Sequence, residues 1–180
     1  MVLRPLIVFV LVVTGATTLT SKENRAAFAF QKVEYFHRWS QDTQHEFTPA
    51  KQEDLDHWTD MITINAYPGV DDGEKLAGTA NTVLGNYKNA GGSVLRTDSV
   101  PATAAKPAEH FIAVVFGRPD FAEAAFARFA LVDGNAYSFV YSHRFYGDKA
   151  FDQLGEWVKT NGGKTEDALM NWDLPAPPKS

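Results

Sequence analysis

The chain reads as an α+β domain: an antiparallel sheet of about six strands flanked by helices. Three observations predict it. Two long stretches, 71–92 and 148–163, carry apolar residues at helical spacing. Between them run four consecutive strand-like segments, the last two joined by Asp133-Gly134-Asn135, residues that favour a hairpin turn. The strand at 110–116 is apolar on both faces, which suits a central strand covered from both sides. Strands, a helix, a run of strands and a second helix form a layered α+β order rather than a βαβ alternation.

The amino end differs from the rest. After Met1–Arg4, residues 5–19 carry no charge, the pattern of a secretory signal peptide. The run is shorter than the ~20 apolar residues that span a bilayer, so no stable membrane anchor is expected after cleavage. Ala27-Phe28-Ala29 places small residues three and one before a cut; a cut near Ala16 is the alternative. The expected organisation is a signal peptide at 1–29, one domain at 30–174 and a Pro-rich tail at 175–180. With 180 residues and no cysteine, the exported domain holds together by its core alone. Removing residues 1–29 lowers the basic residues from 17 to 14 and the acidic ones from 22 to 21, leaving a net charge of −7. Such a balance opposes non-specific nucleic-acid binding and attraction to anionic lipid.

Residues 30–40 place Val33, Tyr35, His37 and Trp39 at period two, a strand signal, and 45–48 is a candidate partner strand. Thr48 and Pro49 suit a helical turn over 48–58. Residues 59–69 read as a strand with Ile62, Ile64 and Ala66 on one side. In the first helix Asp71 precedes Glu74 by three positions, as in a capping box. Leu76, Ala80, Val83, Leu84 and Tyr87 form its apolar stripe, and Gly91 suits a left-handed termination. Strands follow at 93–100, 109–117, 122–132 and 136–146. The Ala-rich 122–132 has helical composition, but its place before a hairpin turn makes it a strand. Phe151, Leu154, Trp157 and Val158 mark the buried side of the second helix, with Gly162 ending it and Thr165 capping a short last helix over 165–172.

This element order is similar to the PsbP-like α/β/α sandwich over residues 30–172. Residues 57–69, 116–129 and 141–147 also resemble a group of small exported bacterial proteins of unassigned activity. The resemblance implies a periplasmic protein that binds another protein or an envelope component without catalysing a reaction.

Candidate site residues cluster in the last two strands. On a strand His143 and Arg144 point to opposite faces. A three-residue turn would pair Val132 with Ala136, set Arg128 against Val140 and put Glu123 on the face of His143; a one-residue change of register reverses this. A Glu123–His143 acid/base pair with Arg128 and Arg144 nearby would make a cleft for a ligand or reaction. The ordinary explanation is polar pairing that ties strand ends. Trp39 and Trp172 are candidates for an exposed aromatic contact, whereas Trp58 and Trp157 suit the core. The five histidines lack the i, i+4 spacing of a helical zinc pair, so no metal is expected. Glycines at 83–92 end a helix instead of preceding one, unlike a phosphate cradle, and no cofactor is expected. No serine lies in a G-x-S-x-G elbow, and no catalytic residue is assigned.

Overall fold

Eight antiparallel strands form one sheet in the computed structural model, which describes residues 25–177. The charge-free run 5–19, the cut near Ala16 and the end of the tail lie outside these residues. The strands are β1 (Phe28–Phe30), β2 (Val33–Gln41), β3 (Gln44–Pro49), β4 (Asp60–Tyr67), β5 (Ser93–Val100), β6 (Glu109–Gly117), β7 (Phe121–Val132) and β8 (Asn135–Tyr146). Helix α1 (Gly73–Asn89) connects β4 to β5, and α2 (Ala150–Met170) follows β8. The spatial order β1-β2-β3-β4-β8-β7-β6-β5 is two meanders laid edge to edge, with β8 returning beside β4. The sheet thus has eight strands where about six were expected, because 28–30 pairs with β2 and the short 45–48 is a complete strand.

The helices lie on opposite faces. Leu76 and Ala80 of α1 pack with Ile112, Val114, Ala127 and Phe129. Leu154 and Leu169 of α2 pack with Phe111, Phe126, Phe139 and Tyr141. One cluster uses the odd positions of β7 and the other its even ones, so the strand is covered on both sides despite its alanines.

Asp72, one residue later than expected, caps α1 by accepting from the Lys75 amide at 2.8 Å. At the other end Gly91 sits at φ +81°, and the Gly91 and Gly92 amides donate to the carbonyls of Lys88 and Tyr87. This is a Schellman closure, which only a residue tolerant of positive φ makes without strain. Helix α2 departs from expectation. It runs unbroken through Gly162 and Gly163, and Thr165 is a buried interior residue rather than a cap. Leu154, Thr165 and Leu169 share the sheet-facing side, and this packing outweighs the ~1 kcal/mol that each helical glycine costs. Phe151 is 60% exposed, outside the buried stripe, with its ring across Gly117, where a Cβ would meet it at 2.0 Å. No helical turn forms over 48–58; a loop there folds Trp58, 4% exposed, into the core.

The β7–β8 turn is two residues long. Asp133 (φ 51°) and Gly134 (φ 77°) are both left-handed, as in a type I′ turn, and Val132 pairs with Asn135. This shifts the expected register by one. Arg128 lies opposite Phe139 rather than Val140, and Glu123 lies opposite Arg144 rather than sharing a face with His143.

Candidate functional site

The register divides the candidate residues between the two faces. On the α1 side, Arg144 Nε donates to Glu123 Oε2 at 2.8 Å. The Arg144 guanidinium lies between two rings, 3.9 Å from the Trp58 centroid and 4.1 Å from that of Phe121. A paired cation held between aromatic faces anchors the 50–59 loop onto the sheet.

On the α2 side, Arg128 makes a two-pronged contact with Glu109 (2.9 and 2.8 Å). Its Nη1 donates to the carbonyls of Leu169 and Trp172, both at 2.9 Å. Arg128 therefore closes the carboxyl end of α2, where unpaired carbonyls gather. His143 sits further along this face. Its Nδ1 is 2.8 Å from Asp60 Oδ1, which also accepts from the Tyr141 hydroxyl at 2.7 Å. Its ring stacks on Trp157 at 4.2 Å and 10°. The carboxylate orients the ring with Nδ1–H towards Asp60, and Nε2 is buried without a partner. Burial pushes the Asp60 pKa up, but the bonds from His143 and Tyr141 bring it below the ordinary value. An Asp–His pair with an unpartnered Nε2 resembles a base, yet Nε2 is buried and the ring lies stacked against Trp157. His143 is a brace under α2.

Trp172 also belongs to the framework. Its Nε1 donates to the Ala29 carbonyl at 3.0 Å, and its ring meets Phe28, Phe30 and Phe139. Trp39 is half-buried opposite Glu46, because a bulge after His37 turns it to the face away from Tyr35 and His37. Glu123 with Arg144, Arg128, His143 and Trp172 thus make four structural ties at different places in the fold, Trp39 lies apart from them, and the six do not line one cleft.

Glu46 lies on the α1 side and is 6% exposed. Burial raises its pKa; the Gln44 hydrogen bond and the Arg144 charge counter part of this, and Glu123 adds to it. A carboxyl whose pKa is raised by folding costs stability once pH climbs past its unfolded value of ~4.3. Glu46→Gln should therefore raise the urea midpoint at pH 7, and the gain should shrink towards pH 3.5. Equal midpoints for both proteins at pH 7 would contradict this.

Two clefts do gather polar groups, and the candidate residues form neither. One, of about 490 Å³, runs between α1 and the β5–β6 pair, lined by Ala77, Asn81, Leu84, Thr97, Ser99 and His110. Ser99 Oγ lies 2.8 Å from His110 Nδ1, while His110 Nε2 is buried and unpartnered. Burial lowers the His110 pKa, which favours the neutral ring. The other cleft, of about 350 Å³, lies at the opposite end of the sheet. Phe28, Phe47 and Ile64 wall it, and His37, Ser40 and His45 form its polar side. Ser40 Oγ lies 2.6 Å from His37 Nε2 and 2.6 Å from His45 Nδ1. Burial and the nearby His37 lower the His45 pKa. Linear spacing hides both groups, since strand pairing assembles each. Among the described residues no three His, Cys, Asp or Glu side chains gather as a metal cage, and no helix is long and apolar enough to cross a membrane.

No family model and no curated protein matches the chain. Among solved structures, human STARD10 is similar at a TM-score of 0.30 and 6% identity, over 77% of this chain and 74% of that one. A likeness that loose carries no argument about function.

Proposed function

We propose that the chain is an exported, non-enzymatic PsbP-like sandwich of a bacterial periplasm, and that it binds a protein of the envelope by taking an extended segment onto the free edge of β5. The observation that supports this most is β5 itself. All eight of its residues are exposed, and its outer edge has no partner strand among the described residues. Such an edge presents unpaired amides and carbonyls, and strand addition is an established way for a sheet to recognise an extended peptide. Val94, Leu95 and Val100 add exposed apolar surface.

Two features shape the docking. A bulge between Val94 and Arg96 interrupts the ladder, so regular pairing falls on Arg96–Val100. The charges do not repel a partner, because Arg96 meets Asp98 at 2.8 Å and Glu166 of α2 at 3.0 Å. The cleft holding His110 lies directly beside this stretch. An incoming side chain with a hydroxyl or amide group would satisfy His110 Nε2 there, giving the added strand a specific register. Cleavage near Ala16 would leave β1 whole, whereas a cut after Ala29 would remove two of its three residues.

The test is crosslinking capture from the native envelope with the wild-type protein and a Leu95→Lys, Val100→Lys variant. Both positions are exposed, so the variant should keep its urea midpoint and lose the captured partner by more than tenfold. A variant that is folded and captures the same partner equally well would remove β5 from the account.

A further inference from the structure

We infer that His37 and His45 form a two-imidazole site for a divalent late transition-metal ion, with Ser40 and water completing its shell. The site lies at the β2–β3 end of the sheet, far along the strand order from β5, and does not depend on the edge-strand reading.

Convergence is the first argument. His37 Nε2 and His45 Nδ1 each point at one oxygen, Ser40 Oγ, at 2.6 Å. A zinc–imidazole bond is about 2.0–2.1 Å, so two nitrogens aimed at a common point need close in by only about half an ångström each. His37 is exposed and can make that movement, while His45 is fixed in β3. The Ser40 hydroxyl then rotates aside or becomes a third donor.

Proton accounting is the second. Ser40 has one hydroxyl proton, so it can donate to only one of the two nitrogens. Towards the other it can only accept, which requires a proton on that ring's inward nitrogen. Both contacts are satisfied when one inward nitrogen carries a lone pair and the other a proton; a cation needs two inward lone pairs, so one ring must switch tautomer to bind it. The displaced proton has a place to go, because neither ring uses its far nitrogen in a hydrogen bond among the described residues. The same fact argues against Ser40 as an activated nucleophile. A base in that role is held in place by a third group, and among the described residues neither imidazole has a carboxylate or carbonyl bonded to its far nitrogen.

Local structure is the third. The bulge between His37 and Trp39 breaks the two-residue period, setting His37 and Ser40 on the same face as His45, which lies opposite Ser40. The cleft in front leaves room for the water molecules that a two-residue site needs. Imidazole ligands suit copper, nickel and zinc, with divalent copper bound most tightly and zinc less so. No carboxylate lines the cleft, which disfavours calcium and magnesium.

The experiment is titration of the tag-free, EDTA-stripped protein with Zn²⁺ and with Cu²⁺ by calorimetry, beside His37→Gln, His45→Gln and His57→Gln. One ion per chain is expected for wild type and for His57→Gln, with copper tighter than zinc and at least a tenfold loss of affinity in the other two variants. Since His45 is buried, His37→Gln is the deciding variant if His45→Gln unfolds. Nitrogen NMR of the histidine rings at one equivalent of Zn²⁺ should move the His37 and His45 signals and leave those of His57, His110 and His143 in place. No saturable binding, equal binding by wild type and His37→Gln, or shifts at the other three histidines would overturn the site.

Discussion

Phe139→Ala is expected to cost about 3–5 kcal/mol, the range for truncating a fully buried phenylalanine. Phe139 is wholly buried in the middle of β8. It lies between Ile64 of β4 and Arg128 of β7 and packs edge-on against Trp172 at 6.0 Å. The cavity left behind would sit where the two meanders join, and the strands on either side cannot collapse into it without breaking their ladders. Total stability for a domain of this size is typically about 5–15 kcal/mol, so the variant should be marginal at 37 °C. Urea unfolding of both proteins gives the difference; a loss below about 1 kcal/mol would show that Phe139 is not at the centre of this core.

Arg128→Ala should cost a similar amount for a different reason. Arg128 is 7% exposed and satisfies a carboxylate and two backbone carbonyls together. Removing it leaves Glu109 without its cation and the end of α2 without donors, and breaking a buried pair from one side typically costs about 3–5 kcal/mol. Replacing both partners, as in Arg128→Met with Glu109→Leu, should recover part of the loss, since no buried charge is then left alone. The two unfolding curves and cleavage of the chain after Leu169 by limited proteolysis test this. A single variant as stable as wild type, with no faster cleavage, would show that the contact does not hold the helix end.

Local patterns made most of the fold legible in the sequence. The α1 stripe, the Gly91 termination and the two-sided apolar strand at 110–116 each depend on neighbouring residues, and each appears in the structure. Features settled by distant contacts were harder to read. Strand β1 was hidden because its hairpin turns through Gln31 and Lys32 at φ 49° and 67°, without the Gly or Asn that usually marks such a turn. Gly162 and Gly163 looked like a helix end, since their cost is local while the sheet contacts of Thr165 and Leu169 that override it are not.

The candidate site suffered most from one residue of turn length. A two-residue turn at Asp133-Gly134 moves Glu123 to Arg144 and leaves His143 to Asp60, a residue more than 80 positions away. His37, Ser40 and His45 escaped notice because their meeting needs both a hairpin and a bulge. His110 finds Ser99 only through the β5–β6 ladder. In each case the residue types were visible and the pairing that gives them meaning was not.

The edge of β5 is the central claim, and a photo-crosslinking amino acid placed at Leu95 tests it most directly. Phe151, an exposed apolar side chain away from β5, lies on α2 and serves as the comparison position. Irradiation of the native envelope should give one defined protein adduct from position 95 and none from position 151. Adducts from position 151 with none from 95 would place the partner on α2 and contradict binding at the sheet edge.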